Sequence, residues 1–150
     1  MSDSNQWQID SLKLDFKMSS ENLNHHKLLK QLSPVALAYI GDAVYELYIR
    51  SLFLLPPKRI VDYHNLVVTQ VKAETQAVHL QHLEPYLTSE EKEIVRRGRN
   101  AATSKPRRLS ASIYQRASSL ETLIGYLYLS DRDRLEYLLT KLNITPDVNG

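Results

Sequence analysis

Two acidic residues stand where the chain has little physical reason to place a charge. Asp42 lies inside YIGDAVYELY, Tyr39 to Tyr48, and Glu121 inside ASSLETLIGYLYL, Ala117 to Leu129. Both stretches are otherwise apolar and read as buried helices, and an ionised carboxylate in a core is costly unless it has a partner. Each acid lies close to a glycine, Gly41 or Gly125, and the chain has only four glycines. Glycine inside a helix costs about 1 kcal/mol relative to alanine, a cost that close approach of two helices offsets. The spacing therefore predicts a helix crossing near Gly41 and Gly125 that sets Asp42 against Glu121. Two facing carboxylates suit a hard divalent cation, Mg²⁺ or Mn²⁺, that keeps several of its waters. The same residues also allow a plainer reading, two half-buried acids at helix edges, each satisfied by water or a remote arginine.

Helical spacing divides the Asp42 helix into two faces. Ile40, Ala43, Val44 and Leu47 form one stripe, which reads as core. Val35, Ala38, Tyr39, Asp42, Tyr45, Glu46 and Ile49 form the other. Glu46 is one turn beyond Asp42, so it is a candidate to steady the cation's surroundings without holding the ion. On the second helix Leu120, Leu123, Ile124 and Leu127 read as core, with Ser118, Glu121, Gly125 and Tyr128 on the adjoining face.

The chain of 150 residues is long enough for one domain with a real core. Hydrophobic residues make up 43%, which argues against disorder throughout, and the four glycines and six prolines are few for a turn-rich β architecture. The absence of cysteine excludes disulfide scaffolds and thiolate metal sites and fits a reducing, cytoplasmic setting. No signal-peptide pattern and no uncharged apolar run of about 18 residues occurs, so no membrane span is expected.

The elements that must position the acids follow from caps and periodicity. Ser33-Pro34 reads as an N-cap with proline in the first turn of a helix that runs to about Leu55, where Pro56-Pro57 stops it. A second helix is predicted over Asp62 to Leu83, with Val67, Val71 and Val78 apolar and Ala73, Ala77 and Leu80 beside them. Thr88 to Glu91 is a capping-box start for a helix that Gly98 would terminate. NAATSKPRRLS, from Asn100, reads as a loop. Helices follow over Ala111 to Leu129 and from near Ser130, the last with the stripe Leu135, Leu138, Leu139, Leu142. Residues 1–27 read as a mobile or loosely docked arm in which Trp7 packs simply, and residues 144–150 as a tail. The fold class is all-α, a helical bundle of one domain.

Charge is unevenly spread. From Lys92 to Arg108 there are seven Lys/Arg and one Glu, a balance of 7 − 1 = +6, so the rest carries 2 − 6 = −4. Arg96, Arg97, Arg99, Asn100, Lys105, Arg107 and Arg108, with Thr103 and Ser104, are candidate contacts to phosphates and 2′-hydroxyls of a polyanion, and such binding would be strongly salt-dependent. Lys72 and Lys58-Arg59 read first as solubilising surface. His64, His79 and His82 lack the Glu-x-x-His spacing of a histidine metal centre, and His25-His26 belong to the arm or a helix entry. Tyr114, two turns before Glu121, reads first as a packing residue with a wet hydroxyl.

ALAYIGDAVYELYIR, Ala36 to Arg50, resembles the signature helix of the ribonuclease III catalytic domain, and ASSLETLIGYLYL resembles that domain's second acidic helix. HNLVVTQVKAETQA, His64 to Ala77, is similar to the helix between them. RRGRNA, from Arg96 and read with the following Ala102, is similar to a segment of the compact subclass, Mini-ribonuclease III. The resemblance covers residues 28–143. It implies a symmetric, dimeric, all-helical, Mg²⁺-dependent endoribonuclease for double-stranded RNA with 5′-phosphate products, in which Mn²⁺ can substitute. Asp42 and Glu121 are then the catalytic metal ligands. Larger members carry further acids where this chain has Ala38 and Ser118, so the site is thinner in protein ligands, with Ser118 and Glu46 left to support it. No room is expected for the appended double-stranded-RNA-binding domain of larger relatives. For the compact subclass the implied substrate is the precursor of large-subunit (23S) ribosomal RNA. Two rivals remain: a non-catalytic RNA-binding or ribosome-associated helical module, and a helical nucleotide phosphohydrolase, for which the acidic residues are sparse.

Overall fold

The computed structural model describes residues 25–103 and 108–144; the predicted arm up to residue 24, with Trp7, and the tail from residue 145 lie outside them. The described residues form seven α-helices: α1 (His25–Gln31), α2 (Pro34–Phe53), α3 (Ile60–Val71), α4 (Ala73–Leu83), α5 (Ser89–Ala101), α6 (Ala111–Ser130) and α7 (Arg132–Thr140). A short 3₁₀ turn, Glu84–Tyr86, joins α4 to the loop before α5. No strand occurs among the described residues, as an all-α class requires.

Helices α2 and α6, each of 20 residues, form the central pair. Helices α4 and α5 lie against α6, α3 against α2, and α7 against the end of α6. The core runs between these layers through Tyr45, Ile49, Leu120, Leu123, Ile124 and Leu127, and continues through the α7 stripe Leu135, Leu138 and Leu139 to Leu142.

Several starts are those the caps dictate. Ser33 Oγ accepts from Ala36 N at 3.1 Å, and Pro34 opens α2. Thr88 and Glu91 make a reciprocal capping box at α5, 2.9 and 3.1 Å. The Glu91 carboxylate also takes two parallel hydrogen bonds from Arg134, both 2.9 Å, tying α5 to α7. Those Arg134 contacts hold its pKa below the ordinary glutamate value. They contribute stability that is present above that ordinary value and is lost as pH falls through the folded one.

Four expectations are corrected. The helix predicted over Asp62 to Leu83 is two helices, because Lys72 adopts an extended backbone (φ −67°, ψ 153°). The carbonyls left open at the end of α3 find side-chain donors instead. Thr75 Oγ1 donates to Thr69 O (2.7 Å), Tyr45 Oη to Gln70 O (2.9 Å), and Gln76 Nε2 to Val71 O (2.8 Å). Val78, predicted apolar and inward, is exposed. Gly98 does not end its helix: α5 continues through Asn100 to Ala101, and a Cβ on Gly98 would lie 2.6 Å from Thr122 Oγ1 on α6. The two faces of α2 were divided wrongly. Tyr45 and Ile49 are wholly buried, whereas Ala43 and Leu47 are exposed, because α2 is clasped by α6 on one side and by α3 on another.

The α2–α6 crossing occurs where the glycines placed it. A Cβ on Gly41 would lie 1.8 Å from the Glu121 carbonyl oxygen, and one on Gly125 1.9 Å from that of Leu37. Backbone meets backbone, so neither helix can yield by turning a side chain. Gly41→Ala is expected to destabilise the protein by about 3 kcal/mol or more, the upper range of overpacking costs; chemical denaturation with matched m-values measures it.

Candidate metal and nucleic-acid site

The glycine crossing fixes the acids. Asp42 follows Gly41 on α2, and Glu121 supplies the carbonyl against which Gly41 packs on α6. Both line one open cavity of about 390 Å³. Its walls come from five helices: Val35, Ala38 and Tyr39 of α2, Val71 of α3, Ala73 and Gln76 of α4, Gly98 and Ala101 of α5, and Tyr114, Ser118 and Thr122 of α6. Among the residues singled out from sequence, Asp42, Glu121, Ser118 and Tyr114 are thus brought together. Ala38 and Ser118 line the same space.

Electrostatics mark the pair as uncompensated. Burial pushes the Glu121 carboxyl up to about 7, and the neighbouring Asp42 charge pushes in the same direction, while the Gln76 amide opposes both. Asp42 is raised too, first by burial and then by Glu46. The physical cause is that two carboxylates share one partly desolvated space. No group of three or more His, Asp or Glu suited to a metal occurs among the described residues. Two hard oxygen donors in an open, water-accessible cavity fit a divalent cation that keeps most of its hydration, which is the behaviour of Mg²⁺.

Glu46 is turned to another task. It pairs with Arg50 one turn on, Oε1 to Nη2 at 2.6 Å, and is not part of the cavity wall. The histidines do not converge on the acids. His64 and His82 are exposed, while His79 is buried with Nδ1 2.7 Å from the Tyr45 hydroxyl. Burial, with His82 nearby, pushes His79 down to about 4. Lys58 closes the end of α2 by donating to the carbonyls of Phe53 and Pro56, and Arg59 pairs with Asp62 at 3.0 Å.

The basic segment begins at the cavity's edge. Arg96, Arg97, Arg99 and Asn100 occupy the last turns of α5, beside the cavity-lining Gly98, Ala101 and Ala102. Arg99, Asn100 and Arg108 are exposed and Arg97 is half-buried. Exposed Arg96 is held by Glu93 (2.8 Å), so part of its charge is already neutralised. Ser104, Lys105 and Arg107 lie outside the described residues. Asn100 is helical rather than in the predicted loop.

Sequence reasoning missed Gln76, which is buried in the cavity wall beside Glu121. A signal was present: Gln76 occupies the inward stripe shared by Ala73, Ala77 and Leu80, where a polar residue breaks the pattern.

The raised Glu121 has a consequence for the cation-free protein. Between the ordinary glutamate pKa and about 7, the folded state holds a proton that the unfolded state has lost. Stability therefore falls as pH rises through this window. Glu121→Gln removes the penalty, and without divalent cation it is expected to be more stable than the parent at pH 8 by about 1–3 kcal/mol. The difference should vanish near pH 4. Thermal denaturation in EDTA at both pH values measures it.

The Ribonuclease III domain family pattern matches residues 35–132, which include both acids. The chain is 57% identical over 129 residues to the Mini-ribonuclease 3 of Synechocystis sp., covering 86% of this chain and 90% of that protein. It is 38% identical over 130 residues to the Mini-ribonuclease 3 of Staphylococcus aureus, covering 83% and 95%. A Fusobacterium nucleatum protein solved by X-ray crystallography superposes with a TM-score of 0.70 at 28% identity, covering 74% of this chain and 93% of that one. The chain belongs to the ribonuclease III domain family, whose members are endoribonucleases of double-stranded RNA, and within it to the compact Mini-ribonuclease 3 group.

Proposed function

We propose that this protein is a Mg²⁺-dependent endoribonuclease that cleaves double-stranded RNA, and that it matures the ends of the precursor of large-subunit (23S) ribosomal RNA in the cytoplasm. The observation that carries the reading is the pairing of Asp42 and Glu121 on one cavity wall beside the α2–α6 glycine crossing. Family membership supplies the substrate class; the ribosomal precursor is what membership of the compact group suggests.

Asp42 and Glu121 would hold the cation between α2 and α6, where it would supply activation of water and charge compensation at the leaving 3′ oxygen. Hydrolysis adds water across the bond from phosphorus to the 3′ oxygen, leaving a 5′ phosphate on one product and a 3′ hydroxyl on the other. No protein nucleophile is needed. Arg96, Arg97, Arg99, Asn100 and Arg108 dock the RNA backbone at the cavity's edge, and Lys105 and Arg107 are further basic candidates from the sequence. Duplex RNA is recognised there by shape and phosphate rather than by base sequence.

A symmetric homodimer would provide one site per strand. Tyr45 and Ile49 belong to the core, so the apolar surface next to Asp42 reduces to Val35 and Tyr39, which are 63% and 86% exposed. These two residues form an apolar lip on the cavity suited to a subunit boundary. Among the described residues, no helix is long and apolar enough to cross a membrane.

Asp42→Asn and Glu121→Gln should each reduce cleavage of a duplex RNA in Mg²⁺ to the level seen with EDTA, with helicity by circular dichroism retained. Undiminished cleavage by either variant refutes the assignment. A parent protein that binds duplex RNA but does not cut it in Mg²⁺ would favour the non-catalytic binding module.

A further inference from the structure

Gln76 on α4 fills a position that the helix's inward stripe would ordinarily give to an apolar residue, and only 2% of its surface is exposed. Its Nε2 donates to Val71 O at 2.8 Å, across the α3–α4 break. The same amide is a side-chain hydrogen-bond partner of the Glu121 carboxylate in the cavity wall. Oε1 is buried and has no hydrogen-bond partner among the described residues. An amide carbonyl left so costs about 1–3 kcal/mol. Turning the amide over brings no relief, because it would set one acceptor, Oε1, against another, Val71 O. Val71 therefore fixes the orientation, and Oε1 remains an acceptor in search of a donor.

The donor it lacks is the kind a hydrated cation supplies. Gln76 lines the same cavity as Asp42 and Glu121. Two carboxylates leave most of an octahedral Mg²⁺ shell to water, and each of those waters needs an acceptor. Ala38 and Ser118, which line the same cavity, offer only a methyl and a single hydroxyl. We propose that Gln76 is a positioning residue of the cation site: Nε2 orients the Glu121 carboxylate while Oε1 accepts a hydrogen bond from the cation's hydration water. The proposal rests on the reading of Asp42 and Glu121 as cation ligands.

Mn²⁺ titration of the metal-free full chain, followed by the electron paramagnetic resonance of free Mn²⁺, separates the two. The parent should bind Mn²⁺ and Asp42→Asn should not; failure here strikes the cation reading itself, and the proposal with it. Gln76→Leu should weaken binding about tenfold, the lower range for loss of an outer-shell partner. Gln76→Glu loses the contact to Val71 O just as Gln76→Leu does, but it restores an oxygen and should bind at least as tightly as the parent. Parent-like affinity in Gln76→Leu, or equal weakening in both variants, would overturn the proposal, since equal weakening means Gln76 only closes the α3–α4 break. Should neither variant fold, the parent still decides. Its Gln76 side-chain amide resonances should shift during an Mg²⁺ titration, and resonances that stay put overturn the proposal.

Discussion

The structure depends on one backbone contact, where α2 and α6 touch at Gly41 and Gly125 with no room for a Cβ on either side. That closeness orders everything near it. It lets the two longest helices share one core through Tyr45, Ile49, Leu120 and Ile124. It also brings two carboxylates into one cavity wall, where burial raises both and the Asp42 charge raises Glu121 further. The fold thus holds an electrostatic conflict that a divalent cation would resolve. Such a conflict persists in a protein only when surrounding packing over-determines it, and a glycine-on-glycine crossing is a rigid way to do so.

Around this centre the supporting interactions divide the labour. The Glu91–Arg134 pair and the capping box fix α5 against α7, so the basic end of α5 is presented from a braced element. Basic residues in the last turns of α5 also complement the helix's negative end. Acidic cavity and basic rim are then neighbours, and under the proposed function a polyanion held by the rim would be kept beside a site whose own charge would repel it. A cation there would serve twice, once for the carboxylates and once for the approach of a phosphate.

How much of this was readable in the sequence depended on whether a residue's role was local. Ser33, Thr88 and the α7 leucines act within a turn or two of themselves, and they behaved as their spacing implied. The glycine-plus-acid coincidence at positions 41–42 and 121–125 was legible because both anomalies are costly and point to the same remedy. The faces of α2 were not legible: a helix clasped on two sides has no single stripe, so Tyr45 and Ile49 went to the core while Ala43 and Leu47 faced out. The break at Lys72 carries no glycine or proline, and it depends on donors from Tyr45, Thr75 and Gln76. Gly98 has the form of a helix stop, yet serves a crossing with Thr122. These roles are tertiary, and periodicity has no access to them.

The most direct measurement is anomalous diffraction from crystals of the protein soaked in Mn²⁺. The account predicts a peak between α2 and α6 within about 2.2 Å of a carboxylate oxygen of both Asp42 and Glu121, the bond length expected for a small hard cation. A protein that takes up Mn²⁺ elsewhere, or carboxylates set too far apart for one ion and a bridging water to join, would contradict it.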